Sequence, residues 1–121
     1  GDVLLHAVCD ALLGAAALGD IGKLFPDSDP AWAGADSRDL LAEVAARVAE
    51  AGWHTVNVDA TVIAEKPRIG PHVETMRTTI APILGVTRND VSIKATTHEG
   101  VGGIGRAEGI AAHAVVLVER A

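Results

Sequence analysis

Three polar residues interrupt the apolar segment that opens the chain. Asp2, His6 and Asp10 stand four residues apart within GDVLLHAVCDALLGAAALGD, residues 1–20, which is otherwise mostly Ala, Leu and Val and predicts one buried helix. Four residues are close to one turn of an α-helix, so these side chains share one stripe, which Gly14 continues. Zn²⁺ accepts imidazole and carboxylate ligands, although a single histidine cannot hold the ion. His6 is therefore either a metal ligand completed from elsewhere in the fold or a buried histidine with satisfied hydrogen bonds.

The acidic residues of the first third of the chain favour a polar site near that helix. Residues 1–36 contain six Asp and no Glu, with Lys23 as the one basic residue. Residues 19–36, GDIGKLFPDSDPAWAGAD, are rich in Gly, Pro and Asp and have no periodicity, which predicts a long loop. Long ordered loops in compact domains are usually functional. Short carboxylates there could meet metal ions or hydroxyl groups, while helix caps and turns account for part of them.

A second set of candidate residues lies in KATTHEG, residues 94–100, at the predicted end of a strand. The hydroxyls of Thr96 and Thr97 and the nearby backbone N–H groups could contact phosphate oxygens. Glu99 could hold a hard cation such as Mg²⁺, and Arg106 could bind an anion. The alternative is that these are ordinary strand-end threonines.

The glycines that follow match a dinucleotide-binding pattern only superficially. Residues 100–105 read G-x-G-x-x-G, but that fingerprint requires a following helix and an acidic residue about 20 positions further on. The residues that follow predict a strand instead. The turn is therefore either a flexible loop or hairpin connection, or a phosphate-contacting turn.

The remaining periodicity predicts one α+β domain with helices on one face of a single sheet. After the opening helix, apolar spacing predicts helices at about 37–51 and 71–84, the first capped by Asp36 or Ser37. Strict alternation predicts a strand at 54–65, and two further strands are predicted at 91–97 and 109–119.

The opposite face of that sheet needs a partner. Its side chains are small and polar or apolar rather than long and charged: Thr55, Asn57, Asp59, Thr61, Ala111, His113, Val115 and Leu117. A symmetric oligomer that packs sheets together would cover them.

Composition excludes several functions. The net charge is −6 and only Phe25, Trp32 and Trp53 are aromatic, which argues against nucleic-acid binding. The sequence contains neither an uncharged apolar run of about 20 residues nor a basic leader, so we expect no membrane span and no signal peptide. The single cysteine, Cys9, cannot form an internal disulfide, and we expect a cytoplasmic protein.

Several segments together resemble the 2-C-methyl-D-erythritol 2,4-cyclodiphosphate synthase family of non-mevalonate isoprenoid biosynthesis. They are residues 1–30, GADSRDLL, IAEKPRIGPH, IKATTHEG and GRAEGIA, in that order. The resemblance implies a homotrimer around a three-fold axis, with active sites between subunits. It also implies conversion of 4-diphosphocytidyl-2-C-methyl-D-erythritol 2-phosphate to the cyclic diphosphate and CMP.

The resemblance assigns the site residue by residue. It implies Zn²⁺ at His6, a second ion, Mg²⁺ or Mn²⁺, at Glu99 with substrate phosphates, and transition-state stabilisation by Thr97. Substrate contacts are expected from Asp20, Ile21, Gly22, Phe25, Pro26, Asp27, Ser28 and Asp29, from the cytidine-pocket residues Ala64, Glu65, Lys66, Pro67, Arg68, Ile69 and Gly70, and from Thr96, Thr97, His98, Glu99, Gly103 and Arg106.

In the family the two further zinc ligands, an Asp-x-His pair, lie on a strand before the counterpart of Gly1. The resemblance therefore implies one domain, residues 1–121, that lacks that strand. Two other functions stay open: a non-catalytic trimeric module that binds nucleotide or isoprenoid diphosphate, and one domain of a larger bifunctional protein.

Overall fold

The computed structural model describes residues 2–26, 36–65 and 68–121, which form helices packed on one three-stranded sheet. The elements are α1 (Asp2–Ala15), α2 (Ile21–Leu24), α3 (Ser37–Glu50), β1 (Trp53–Ile63), a 3₁₀ turn (Gly70–His72), α4 (Val73–Leu84), a 3₁₀ turn (Arg88–Asp90), β2 (Val91–Thr96), α5 (Gly102–Gly105) and β3 (Ala111–Arg120). The α+β prediction is confirmed. Within these ranges, the helices are too short or too polar to cross a membrane.

The opening helix is shorter than the sequence predicts. Helix α1 ends at Ala15, because Ala17 takes a left-handed conformation (φ 58°) and the Leu18 amide donates back to the Leu13 carbonyl. This is the geometry of a helix C-cap, with an alanine where glycine is usual. The prediction of one helix through residue 20 is therefore wrong. The following residues turn away and lead into α2.

Helix α1 buries one face, as its Leu and Val spacing requires. Leu4, Val8 and Leu12 are at most 2% exposed and lie in the core beside Cys9. Burial raises the pKa of the Cys9 thiol to about 12, so this thiol stays protonated and unreactive at neutral pH. His6, Asp10 and Gly14 lie on the opposite, exposed face. This confirms the prediction that they share one stripe of the helix, separate from its apolar face.

Helices α3 and α4 begin and end close to the predicted positions. The Asp36 carboxylate caps α3 by accepting from the Arg38 amide at 2.8 Å. Hydrogen bonds from Arg38 also lower the pKa of this carboxyl to about 2. Helix α4 ends at Gly85, whose φ of +71° closes the helix as predicted.

The sheet is mixed, with β1 between β2 and β3. Strand β2 pairs parallel with β1 up to Ile63↔Thr96, and β3 pairs antiparallel with β1 from Trp53↔Arg120 to Ile63↔Ala111. The carboxyl ends of β1 and β2 and the beginning of β3 therefore meet at one edge of the sheet. The segments that follow β1 and β2 therefore start at this edge, and the segment that precedes β3 ends at it.

The two faces of the sheet have different surroundings. Val58, Ala60, Val91 and Val116 are at most 9% exposed and pack under the helices. On the other face, two apolar side chains of β3 are strongly exposed, Val115 by 72% and Leu117 by 56%. Beside them Lys94 and Asp59 form an exposed ion pair at 3.1 Å. None of the described segments of this chain covers that face, as the sequence predicts.

Candidate active site

The sheet edge brings together two segments that are about 30 residues apart in the chain. The Ala64 amide, just after β1, donates to the Thr96 carbonyl at the end of β2 over 3.1 Å. The Gly100 amide donates to Glu65 Oε1, also over 3.1 Å. The predicted cytidine-binding and phosphate-binding segments are therefore direct neighbours.

A cavity of about 420 Å³ lies between these two segments. Its lining residues are Ala64, Glu65, Arg68, Ile69, Gly70, Pro71, Ala95, Thr96 and Thr97. Arg68 is exposed and brings a guanidinium to this cavity, while backbone groups and threonine hydroxyls supply neutral polar atoms. Lys66 and Pro67, which the sequence also assigns to this pocket, lie outside the described residues.

The turn after β2 holds its side chains at the surface. Thr97 Oγ1 accepts a hydrogen bond from the Glu99 amide at 3.1 Å. Glu99 has a φ of +53°, and Gly100 follows with +79°, so the chain reverses sharply here. Thr96, Thr97, His98 and Glu99 are all exposed. The Thr97 hydroxyl proton and the Glu99 carboxylate are thus available to a bound ligand.

The glycine-rich turn contains a short helix, α5, and it is not a hairpin connection, because β2 and β3 each pair with β1. A Cβ on Gly105 would lie 2.4 Å from the Gly100 carbonyl carbon, so only glycine fits where the turn closes on itself. Gly103 is half-buried beside the Glu108 side chain. Arg106 Nε donates to Glu108 Oε1, so an anion bound by the other guanidinium N–H groups of Arg106 would share this cation with the carboxylate.

The predicted metal helix meets two other segments. His6 Nε2 lies 3.4 Å from Ser37 Oγ at the start of α3. Asp10 Oδ1 accepts from the Ile21 amide at 2.9 Å, and Asp20 Oδ1 accepts from the Lys23 amide at 2.8 Å.

The predicted substrate loop is described only in its first part. Gly22 and Pro26 are exposed, whereas the Phe25 side chain is 5% exposed and stacks under the Arg47 guanidinium at 4.7 Å. Phe25 therefore anchors this loop in the core, and a substrate would meet its backbone rather than its ring. Asp27, Ser28 and Asp29 lie outside the described residues.

The site residues form two separate groups in this chain. One is the cavity at the sheet edge with Thr97 and Glu99, and the other is the surface of α1 and α2 with His6 and Asp20. No described residue that lines the cavity comes from α1 or α2. Among residues 2–26, 36–65 and 68–121, no cluster of three or more His, Cys, Asp or Glu side chains could hold a metal ion.

Sequence reasoning missed three neighbours of the predicted residues: Ser37 beside His6, Ile21 beneath Asp10, and Glu108 beside Arg106. The spacing of Arg106 and Glu108 could have suggested that pair. No local sequence pattern could have predicted the contacts of His6 with Ser37 and of Asp10 with Ile21, because each contact joins two different elements.

Comparison with known proteins shows the family of this chain. Residues 1–119 match the model of the YgbB family. The 2-C-methyl-D-erythritol 2,4-cyclodiphosphate synthase of Pseudomonas aeruginosa is 64% identical over 118 residues, which cover 98% of this chain and 75% of the relative.

Two solved structures share the fold. The bifunctional IspDF of Campylobacter jejuni matches with a TM-score of 0.94 and 40% identity; the match covers all of this chain and 33% of that one. IspF of Plasmodium falciparum, solved as a CDP complex, matches with a TM-score of 0.86 and 30% identity, covering 99% and 72%. The chain therefore belongs to the YgbB family and is similar over nearly its whole length to curated 2-C-methyl-D-erythritol 2,4-cyclodiphosphate synthases.

Proposed function

We propose that the cavity at the sheet edge holds the cytidine diphosphate portion of the substrate of this cyclodiphosphate synthase. The overall reaction follows from the family match and the 64% identity. It converts 4-diphosphocytidyl-2-C-methyl-D-erythritol 2-phosphate to 2-C-methyl-D-erythritol 2,4-cyclodiphosphate and CMP. The observation that supports this placement is that residues 64, 65 and 68–70 line one cavity together with Thr96 and Thr97.

The cavity has a suitable size and chemistry for a nucleotide. Its volume of about 420 Å³ lies within the usual range for small-molecule sites, roughly 300–1,000 Å³. Backbone groups after β1 can recognise the base, and the Arg68 guanidinium can pair with a phosphate. The Plasmodium falciparum relative, which has the same fold, was solved as a CDP complex.

The methylerythritol portion is assigned to the surface of α2. Asp20 and the backbone of Ile21 and Gly22 supply acceptors and donors for hydroxyl groups, and the sequence assigns residues 25–29 to the same substrate. Among the described residues of one chain, none belongs to both this surface and the nucleotide cavity. A substrate that spans both groups is accommodated if they come from neighbouring subunits.

The exposed donor atoms fit two kinds of divalent ion. His6 presents an imidazole, which suits Zn²⁺, and Glu99 presents a carboxylate, which suits Mg²⁺ or Mn²⁺ shared with substrate phosphates. We assign each as one ligand of its ion. When bound, these ions polarise and neutralise the diphosphate, which matters because a chain of net charge −6 repels an anionic substrate.

The reaction is an intramolecular phosphoryl transfer. An oxygen of the 2-phosphate bonds to the β-phosphorus, and the bond from that phosphorus to the bridging oxygen breaks and releases CMP. Positioning and charge stabilisation supply most of the catalysis in such reactions. The Thr97 hydroxyl, which accepts from the Glu99 amide, can donate its proton to a phosphoryl oxygen as negative charge shifts there.

A homotrimer would cover the exposed face of the sheet through Val115 and Leu117. We expect Leu117→Lys to weaken self-association by at least about 100-fold, since three lysines would be buried near one another at the symmetry axis. Sedimentation velocity measures the assembly, and Ala46→Lys on the exposed side of α3 is the control. A trimer that survives Leu117→Lys would contradict this interface.

The cytoplasmic location stays a prediction from the sequence.

Phosphorus NMR tests the reaction directly. The protein, expressed from its complete reading frame, is incubated with the nucleotide-linked substrate, Zn²⁺ and Mg²⁺. The expected result is a cyclic diphosphate and one equivalent of CMP. Binding of CDP without any product would instead favour the non-catalytic module.

A further inference from the structure

The Asp10 carboxylate joins the helix that carries His6 to the segment assigned to the methylerythritol group. Asp10 lies one turn after His6 on the same stripe of α1. Its Oδ1 accepts from the Ile21 amide at 2.9 Å, across eleven residues of sequence. The bond is charge-assisted, and such bonds are roughly twice as strong as bonds between neutral groups.

The bond acts on a short segment between two other anchors. The segment leaves α1 through the left-handed Ala17, and it ends at Phe25, whose ring is buried in the core. Between these points α2 is a single turn, and so short a helix has little stability of its own. Asp20 caps α2 internally through the Lys23 amide, but that bond does not tie α2 to α1. The Asp10 bond does.

We propose that Asp10 is a positioning residue, which holds the Asp20–Gly22 backbone at a set distance from His6. Asp10 itself contacts neither substrate nor metal in this role. The inference rests on the proposed function, because it assumes that Asp20–Gly22 binds the methylerythritol portion. It predicts that losing the bond loosens this portion of the substrate and leaves the cytidine cavity, which lies on other elements, unchanged.

The test compares Asp10→Ala and Asp10→Asn in the full protein. The Asn variant keeps an oxygen that can accept from Ile21, so it separates loss of the contact from loss of the charge. Glu50→Gln, on an exposed residue at the end of α3, controls for the change in net charge. Hydrogen exchange of the Ile21 amide reports on the contact without any need for activity.

For Asp10→Ala we expect faster exchange at Ile21, a KM for the complete substrate raised by at least about tenfold, and a CDP affinity within about twofold of the parent. Asp10→Asn should recover most of the KM. If Asp10→Ala does not fold, Asp10→Asn still decides. The expected result is then a KM for Asp10→Asn less than threefold above the KM of the control Glu50→Gln.

Three results would overturn the inference. Unchanged exchange at Ile21 would mean that the contact is not formed in solution. Faster exchange with an unchanged KM would mean that the contact does not position substrate. An equal loss of CDP affinity would indicate general damage to the fold. An inactive parent protein with normal Ile21 protection would instead refute the proposed function, on which the positioning role depends.

Discussion

Replacing Thr97 by alanine is expected to lower kcat for cyclodiphosphate formation by about 100- to 1,000-fold, with the Kd for CDP changed by less than about threefold. The magnitude is that of removing one hydrogen-bond donor aimed at charge that develops in a transition state. The charge on the phosphoryl oxygens is redistributed only during the transfer, so a donor tuned to that state contributes little to ground-state binding.

The local geometry supports this expectation. Thr97 Oγ1 already accepts from the Glu99 amide, which orients the hydroxyl and leaves its proton for a ligand. The residue also lines the cavity, so its side chain is within the proposed nucleotide site. Steady-state kinetics and calorimetric titration with CDP separate the two effects.

Two further variants separate the proton from the shape of the side chain. Thr97→Ser keeps the hydroxyl and should retain most of the activity, while Thr97→Val keeps the shape and should be as slow as Thr97→Ala. Equal losses in kcat and in CDP affinity for Thr97→Ala would show that the residue serves ground-state binding instead.

Replacing His6 by alanine is expected to weaken zinc binding by more than about 100-fold. Even a residue that only supports a metal ligand is worth about 10- to 100-fold in affinity, so a ligand itself should be worth more. The imidazole is exposed on α1 and away from the apolar core, so its removal should not disturb folding. Zinc per chain, measured by elemental analysis after dialysis against a weak chelator, gives the result.

His54 provides a matched control. It is an exposed histidine at the beginning of β1, 3.7 Å from Glu119, and thus at the opposite end of that strand from the cavity. His54→Ala should leave the zinc content unchanged. Zinc content unaffected by His6→Ala would refute the ligand role. A drop caused equally by both variants would point to non-specific binding by surface histidines.

Local patterns were sufficient to predict the three long helices and the strands, but not the short helices α2 and α5. The Leu and Val spacing predicted α1 and α3, and strict alternation predicted β1, because periodicity records which face each element buries. The four-residue spacing of His6 and Asp10 likewise placed both on one face. The prediction that the opening helix continues through residues 16–20 was wrong because Ala17 adopts a left-handed conformation, which an alanine in the sequence does not predict.

The arrangement of the site depended on contacts that no local pattern encodes. Glu65 and Gly100 are 35 residues apart, and Asp10 and Ile21 are eleven apart, so neither contact leaves a periodic signal. The strand alternation also could not say that β2 runs parallel to β1 while β3 runs antiparallel, since both pairings bury alternate residues alike.

By itself, the sequence determined which residues are candidates for the chemistry and on which of the main helices, strands and turns they lie, because side-chain type and burial pattern are properties of neighbours along the chain. Only the tertiary structure decided which of them meet. The pairing of β1 with β2 sets Ala64 and Glu65 beside Thr96 and Gly100 and so forms the cavity that we propose for the nucleotide. The docking of α2 on α1 sets Ile21 beneath Asp10. Both depend on how the helices and strands pack around one core, which is a property of the whole chain.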